Sequence, residues 1–343
     1  MKKIVKQSVG IDVAQKELVV SFGRLHEDWS WEVFAFKTFA NNKKGFKALV
    51  LWVNQLAQPG VEVRYVMEAT GVYHESLAYF LDDLGCSISI VLPNKISNYF
   101  RTLEVKTVTD KTASEVIARF GLERKLENWK RPKAVFKRLR QLTREKGQLV
   151  DQRTVAKNQL HAEKAEAEPN KSTLARLSKV IALFDKLETE VSKEITATIK
   201  EDQQVNAAVK LIMSITGVGE LTAATALAET NGFELIRNKR QLTSYAGLDI
   251  KEKQSGTSVR GKARISKRGN KYLRRAMHLP ALAAIRHDQR FKAVFVRLVG
   301  KHGLKMKAVV AVQRKLLEMI YTVYKTQQPY NKNYLNKQVA VVV

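Results

Sequence analysis

Three acidic residues stand in or beside apolar stretches, where a charged side chain is unfavourable unless it has a partner. Asp12 lies between Ile11 and Val13, Glu68 ends the stretch VRYVME, and Asp110 opens DKTASEVIARFG. Carboxylate oxygens are the ligands that Mg²⁺ prefers, and phosphodiester hydrolysis commonly uses two such ions roughly 3.5–4 Å apart. The three residues are therefore candidates for a catalytic metal site with Mg²⁺ as cofactor. The simpler alternatives are a solvated strand face for Asp12 and helix capping for Asp110.

A second set of reactive side chains lies in the segment KEKQSGTSVRGKARISKRGNKYLRRA, residues 251–276. Ser255 stands beside Gly256, which permits close backbone approach, and a serine ester would conserve the energy of a phosphodiester. Such segments usually only hold phosphate, and no histidine is adjacent to act as a base. A metal ion could lower the pKa of the hydroxyl, which would require the acidic and basic regions to meet within one subunit or between two. The candidate nucleic-acid-binding residues of this segment are Arg260, Lys262, Arg264, Lys267, Arg268, Arg274 and Arg275.

The elements that must position the acidic residues lie in residues 1–132, which read as mixed α/β. Apolar residues alternate in SVGIDVAQKELVVSFGRL, in SWEVFAFKTFAN and in VEVRYVMEAT, which predicts strands. Helical stretches follow the third and fourth strands, and SISIVLP predicts a buried fifth strand. The order β-β-β-α-β-α-β is the one that RNase H-like sheets use.

Residues 133–205 predict long helices with a coiled-coil seam. Apolar residues from Val135 to Leu160 follow spacings of four and three, interrupted by Lys146 and Arg153, and the pattern resumes strictly from Leu177 to Val191. An intramolecular helical hairpin and a dimerisation arm both fit this pattern.

Residues 206–330 predict a helical and basic domain, and residues 331–343 give no functional signal. Gly217 and Gly219 stand between two helical stretches, in a pattern typical of a helix–hairpin–helix motif. Such glycines allow backbone N–H groups to approach a phosphate at the next helix. A tight turn with only a packing role is the alternative.

The charge of the chain indicates nucleic acid as the partner. The net charge is +27 over 343 residues, and between Lys251 and Lys325 there are 20 Lys and Arg against 3 Asp and Glu. The one cysteine, Cys86, lies in an apolar run and fits a core residue of a reducing compartment. We expect no signal peptide and no membrane segment, because no apolar run is long enough.

Several of these stretches together resemble one protein family. VGIDVAQKEL, VMEATGVYHESLA and VKTVTDKTASEVIARFG resemble the acidic motifs of insertion-sequence transposases related to the Piv invertase. GVGELTAATALAE, YAGLDI and SGTSVRGKARISKRGNKYLRRAMHLPALAA resemble the C-terminal transposase domain of the same proteins. The resemblance covers nearly the whole chain, in order.

This resemblance implies a RuvC-like domain that carries an Asp-Glu-Asp-Asp tetrad, a helical coiled-coil arm and a helical transposase domain with a serine nucleophile. Asp12, Glu68, Asp110 and Ser255 match the functional residues, whereas the fourth acidic position falls on Ala113. Ser114 lies close round the helix and could hold a metal-bound water in its place. The resemblance further implies Mg²⁺, a structured noncoding guide RNA, a homodimer or homotetramer, and action in the bacterial cytosol or nucleoid.

The resulting hypothesis is a DNA recombinase or transposase that moves its own insertion element through a covalent serine–DNA intermediate. A metal-dependent junction nuclease that uses water alone is the first alternative. A nucleic-acid-binding protein without catalytic activity is the second, and Ala113 makes it credible.

Overall fold

A computed structural model describes residues 2–69, 71–103, 107, 109–252, 254–255, 259–261 and 264–332, with the backbone alone at residues 254–255 and 259–260. The chain divides into two compact units, Met1–Arg131 and Pro132–Val343. In the part of the chain that the structure describes, no helix has both the length and the apolar character needed to cross a membrane.

The first unit is a mixed α/β domain built on one five-stranded sheet. Its strands are β1 (Ile4–Val13), β2 (Glu17–His26), β3 (Trp31–Ala40), β4 (Val63–Glu68) and β5 (Ser87–Val91), and its helices are α1 (Lys43–Leu56), α2 (Glu75–Asp83), α3 (Pro93–Phe100) and α4 (Asp110–Glu123). The strand order is β3-β2-β1-β4-β5, antiparallel among the first three strands and parallel from β1 through β4 to β5. The element order that the sequence predicts is thus confirmed, and it is the order expected of an RNase H-like sheet.

The two faces of this sheet have different compositions because side chains alternate along each strand. One face carries Val9, Ile11 and Val13 of β1, together with apolar residues of β2 and β4, and packs against α1 and α2. The opposite face carries Ser8, Gly10 and Asp12 of β1 and packs against α4. The alternation that the sequence shows in β1 therefore separates an apolar core face from a face with small and acidic residues.

Helix α4 lies unusually close to β1 because two glycines remove side-chain bulk between them. A Cβ atom at Gly10 would lie 2.1 Å from the backbone nitrogen of Ala118 and 2.2 Å from the carbonyl oxygen of Ser114. A Cβ atom at Gly121 would lie 2.1 Å from the Oγ of Ser8. The pairs run in opposite directions along the two elements, so α4 is antiparallel to β1 and begins near the C-terminal end of that strand.

The second unit begins with two long helices that pair within the chain, α5 (Ala134–Lys164) and α6 (Lys171–Glu201). Lys146 and Arg153, which interrupt the apolar seam, bond across to α6. Lys146 donates to the Oγ of Ser192, and Arg153 lies 2.6 Å from Asp185 and 2.9 Å from Glu188. The hairpin interpretation of the seam therefore describes the pairing within one chain, and these cations are part of it.

The rest of the second unit is helical. Its helices are α7 (Gln203–Met213), α8 (Glu220–Thr230), α9 (Lys239–Tyr245), α10 (Lys271–Ala276), α11 (His278–His287), α12 (Gln289–His302) and α13 (Lys305–Thr326), and its short strands are β6 (Ile250–Lys251), β7 (Gln254–Ser255), β8 (Val259–Arg260) and β9 (Arg264–Ile265). Helix α8 is buried nearly all round, and its Glu229 carboxylate bonds Arg144 at 2.7 and 2.8 Å and Asn270 at 2.6 Å. This buried network joins α5, α8 and the start of α10.

Candidate metal centre and serine loop

Asp12 and Glu68 lie next to each other on adjacent parallel strands. The register of β1 and β4 pairs Ile11 with Met67, so the next residues along the two strands are Asp12 and Glu68. Ile11 and Met67 are both fully buried in the core on the α1–α2 side of the sheet. Because side chains alternate, both carboxylates point to the α4 side.

Asp110 reaches the same place from helix α4. Thr109 is the N-cap of this helix and forms a capping box with Thr112, so Asp110 is the first helical residue. The close packing at Gly10 holds the N-terminal half of α4 over the C-terminal half of β1. The positive end of the helix dipole thus lies on the side where the two strand carboxylates stand.

The negative charges of Glu68 and Asp110 are close enough to affect Asp12. The pKa of Asp12 is raised above its ordinary value, first by burial and then by the negative charges of Asp110 and Glu68. A backbone hydrogen bond at Val13 opposes this change. Burial and two neighbouring negative charges therefore make the charged form of Asp12 unfavourable.

The carboxylate oxygens of Asp12, Glu68 and Asp110 are suitable ligands for a hard divalent cation, although the three side chains are not arranged around a single point. Among the described residues, no group of three or more His, Cys, Asp or Glu side chains has the spacing of a formed metal site. The three carboxylates nevertheless meet on one face and repel one another at Asp12, and a bound cation would relieve that repulsion. Asp12, Glu68 and Asp110 are the residues that would hold it.

Asn41 is a residue of this site that the sequence does not reveal. Its side-chain amide donates to the carbonyl oxygen of Ala14 at 2.8 Å and to that of Tyr73 at 3.2 Å. Ala14 follows the strand that carries Asp12, and Tyr73 lies in the loop that follows Glu68. Asn41 therefore ties together the two loops that leave the carboxylate strands. The Asn41–Asn42 pair in the sequence indicates only a helix cap, which Asn42 supplies by accepting from the backbone of Gly45.

Ser114, the candidate that helix geometry offers for holding a metal-bound water, is committed to protein contacts in the structure. Its side chain is fully buried, and its hydroxyl lies 2.7 Å from the hydroxyl of Ser21 while donating to the carbonyl of Lys111 at 2.8 Å. A hydroxyl that is buried between β2 and α4 and already bonded to Ser21 and Lys111 is a poor candidate for holding a metal-bound water. Ala113 is half-buried, and its backbone N–H bonds to Thr109.

Ser255 lies in a small hairpin that contains two successive pairs of short strands. Strands β6 and β9 form the outer antiparallel pair, which we call the base of the hairpin, with Ile250 opposite Ile265. Strands β7 and β8 form the inner pair, with Ser255 opposite Val259. The side chains of Ser255 and Arg260 lie outside the described residues, as do Lys262 and the segment 256–258. The roles predicted for Ser255, Arg260 and Lys262 therefore remain predictions.

The basic residues after the hairpin differ in how far they are committed to protein contacts. Arg264, Lys267 and Arg268 are exposed. Arg274 is half-buried and donates to the carbonyl oxygen of Ala246 at 2.8 Å, whereas Arg275 makes a bidentate pair with Asp151 at 2.6 and 2.5 Å. Among the described contacts, the side chains of Arg264, Lys267 and Arg268 make no such hydrogen bond or ion pair. These three residues are therefore the better candidates for phosphate contacts.

The two glycines of the predicted helix–hairpin–helix motif have different surroundings. Gly217 has a φ of +88°, and a Cβ there would lie 2.7 Å from the carbonyl oxygen of Pro280. Gly219 is the N-cap of α8, and a Cβ there would meet open space. Packing against α11 explains Gly217, whereas Gly219 remains a candidate for backbone approach to a phosphate.

Comparisons with known proteins match the chain in two successive stretches. A family model described as "Transposase", of the IS110 type with a DEDD site, matches residues 9–163, and the model "Transposase IS116/IS110/IS902 family" matches residues 209–295. The pilin gene-inverting proteins of Moraxella bovis and Moraxella lacunata are each 28% identical over 333 residues, which cover 95% of this chain and 98% of theirs. The transposase for insertion sequence element IS1111A of Coxiella burnetii is 30% identical over 138 residues, which cover 38% of this chain and 37% of its own.

Among solved structures, a T. thermophilus RuvC in complex with a Holliday junction substrate matches 33% of this chain and 90% of its own, at 10% identity and a TM-score of 0.26. That score is too low to establish a common fold. The two family matches, in contrast, include Asp12, Glu68 and Asp110 in one and the Ser255 hairpin in the other, and together they span more than two thirds of the chain. The chain is therefore a transposase of the IS110 family, an enzyme of insertion-element recombination.

Proposed function

We propose that this transposase cuts and rejoins DNA of its own insertion element, using the Asp12–Glu68–Asp110 site with Mg²⁺ and a covalent ester of Ser255. The observation that supports the metal site best is that three carboxylates from β1, β4 and α4 meet on one face of the sheet. No structural role requires that arrangement, because like charges placed together destabilise the folded state.

In this proposal each residue has a defined task. A bound divalent cation supplies charge stabilisation for the phosphate and a lower pKa for a nearby hydroxyl. The Ser255 oxygen attacks phosphorus and gives up its proton, and the bond from phosphorus to one deoxyribose oxygen breaks. That oxygen leaves as a hydroxyl after it gains a proton. A deoxyribose hydroxyl of the recipient strand then attacks the serine ester, which reforms a phosphodiester and releases Ser255.

Cations beside the hairpin would bind and neutralise the phosphates. Arg264, Lys267 and Arg268 are exposed and positioned along the segment that follows Ser255. An arginine can contact two phosphate oxygens at once and stabilise the charge that develops during transfer. Arg275 would need to leave Asp151 before it could do the same.

The principal alternative is hydrolysis by the acidic site with water alone. It needs Asp12, Glu68 and Asp110 but not Ser255. The absence of an acidic side chain at Ala113 favours a third possibility, a protein that binds DNA without cutting it.

One experiment separates these functions. The protein is incubated with DNA that carries the joined ends of its element, with co-purified RNA and Mg²⁺, and the products are resolved in denaturant. We expect a protein–DNA band that disappears in Ser255→Ala and persists in Ser244→Ala, a matched change outside the loop. Cleavage without a denaturant-resistant band would support hydrolysis, and binding without cleavage would support the non-catalytic alternative.

We further propose that a structured noncoding RNA guides the protein and that it acts as a homodimer or homotetramer in the bacterial cytosol. The net charge of +27 supports a polyanionic partner, and the long α5–α6 pair offers a surface for assembly. Sequencing the RNA that co-purifies through a high-salt wash tests the first point. Mass photometry with and without that RNA tests the second.

A further inference from the structure

A groove of about 510 Å³ lies in the second unit, beside the base of the Ser255 hairpin. The hairpin contributes Ile250 and Ile265, which pair across β6 and β9. Helix α12 contributes Leu298, and α13 contributes Met306, Val310 and Ala311. The floor and walls are therefore mainly apolar, although the groove opens to solvent.

The rim of this groove is cationic. Arg264, Lys307, Arg314 and Lys315 line it, and the one carboxylate among its lining residues, Glu318, is bonded to Arg314 at 3.0 Å. Arg264 belongs to β9 and so connects the rim to the serine hairpin. An anionic chain could follow this rim while an apolar group enters the groove.

The core explains part of the apolar lining, because Leu248, Ile265 and Val310 belong to it or pack against it, but it does not explain the exposed residues. Ile250 is 61% exposed and Met306 is 62% exposed, and neither belongs to the core clusters. Large apolar side chains that remain this exposed around one concave site commonly mark a binding surface. The volume lies within the range of roughly 300–1,000 Å³ typical of small-molecule sites.

We propose that this groove receives one unpaired nucleobase of the bound DNA while the rim cations hold the phosphates on either side of it. A nucleobase has apolar faces and polar edges and is joined to anionic phosphates, which matches an apolar groove with a cationic rim. Arg314, whose Nε is bonded to Glu318, carries further N–H groups that are donors for the edge of the base. The position beside β6 and β9 means that the strand holding this base runs past the hairpin that carries Ser255.

The charge of the rim favours a nucleic acid over an apolar protein segment. Four cations face one carboxylate that is already paired, and such a rim would repel the Lys- and Arg-rich surface of a second copy of this chain. The inference rests on the proposed function only in that DNA is the substrate. It does not require Ser255 to be the nucleophile, and a binding experiment without metal therefore tests it separately.

The test uses the full-length protein and a single-stranded 15-mer that contains one 4-thiothymidine, irradiated without divalent cations. We expect crosslinks on the peptides that carry Ile250 and Met306. Ala311→Phe, which fills the groove from α13, should remove these crosslinks and weaken binding about tenfold, since one stacked base contributes roughly that much. Val296→Phe is the control on α12, at an exposed position outside the lining of the groove, and should leave both unchanged.

A second pair of variants tests the proposal without relying on the correct folding of Ala311→Phe. Met306→Glu changes an exposed residue and should weaken binding, whereas Lys307→Gln should lower the salt slope of binding by about one. Crosslinks confined to other segments, with Met306→Glu binding as the parent protein does, would overturn the proposal. A change of oligomeric mass in Ala311→Phe without any change in binding would overturn it as well, because the groove would then join protein chains.

Discussion

Replacing Gly10 by alanine should move helix α4 away from β1 and thereby separate Asp110 from Asp12. The added Cβ would lie 2.1 Å from the nitrogen of Ala118 and 2.2 Å from the carbonyl oxygen of Ser114. Both atoms are backbone atoms in the middle of a helix, so neither can rotate aside. Relief requires α4 to shift as a body.

The size of the shift follows from these distances. Ordinary non-bonded contact begins near 3.4 Å, so α4 must retreat by roughly 1 Å or more. Overpacking of this kind typically costs about 1–3 kcal/mol of stability. A displacement of about 1 Å between catalytic groups can cost about 100-fold in rate. We therefore expect Gly10→Ala to remain folded and to lose about two orders of magnitude in metal-dependent cleavage.

Two measurements are needed, urea unfolding for stability and DNA cleavage at saturating Mg²⁺ for activity. Gly300→Ala is the matched control, because Gly300 lies inside α12 with open space where its Cβ would be. That variant should gain about 0.5–1 kcal/mol, as glycine is unfavourable inside a helix, and cleave normally. Gly121→Ala should be milder than Gly10→Ala, because its nearest obstacle is the side-chain hydroxyl of Ser8.

The reasoning would be refuted by a Gly10→Ala protein that is destabilised as expected but cleaves at the parent rate. In that case the position of α4 would not control the catalytic geometry, and Asp110 would not belong to the site. Full activity with no loss of stability would instead show that the close packing of α4 on β1 is absent in solution.

Three further changes test the site and its support. Asp12→Asn should abolish cleavage and stabilise the metal-free protein, because the pKa of Asp12 is raised by burial and by neighbouring carboxylates. The gain in the urea midpoint should be present at pH 7. It should fade as the pH falls through the folded pKa of Asp12 towards the ordinary value of 3.8, because the aspartate then becomes neutral. A gain that persists at low pH would show that the charge of Asp12 is not its cause. Glu229→Gln should lower the unfolding free energy by about 1–3 kcal/mol, since it weakens the bonds that the buried carboxylate makes to Arg144, whose own side chain is partly exposed. Thermal melting beside the exposed control Glu234→Gln would show whether the loss is specific. Ala113→Asp should shift the Mg²⁺ midpoint of cleavage to lower concentration, with Ala113→Asn as the uncharged control, and an unchanged midpoint would show that position 113 does not face the metal.

Much of the first unit could be predicted from the sequence because its signals are local. Alternating apolar residues predicted β1 and β2, and the position of Asp110 predicted the start of α4, whose N-cap in the structure is Thr109. The close packing of α4 on β1 could not be predicted, because it depends on two glycines, Gly10 and Gly121, that are distant in sequence. A glycine inside a strand is a signal of close backbone approach, but it does not identify the partner.

The same limit applies to the site. Residue types and spacing identified Asp12, Glu68 and Asp110 as candidates, and the register of β1 and β4 brings two of them side by side. The clamp formed by Asn41 depends on carbonyl groups in two loops, and a backbone carbonyl leaves no signature in the sequence. Likewise, the sequence shows that Arg275 belongs to a basic stretch. Its pairing with Asp151 on α5 could not be predicted, because it depends on how distant helices pack.

The absence of a fourth carboxylate has a structural consequence for helix α4. The face of α4 that contains Ser114 is pressed against β1 and β2, and its hydroxyl is used to bond Ser21. Glu115 points towards Lys111, which in turn lies 5.3 Å from the ring of Phe36 on the edge strand β3. Among the described residues of the first two turns of α4, therefore, Ser114 is committed to protein contacts, whereas Glu115 pairs only weakly with Lys111 at 3.9 Å. In the proposed site Asp12, Glu68 and Asp110 supply the carboxylate ligands, and water would complete the coordination shell, as Mg²⁺ sites commonly allow.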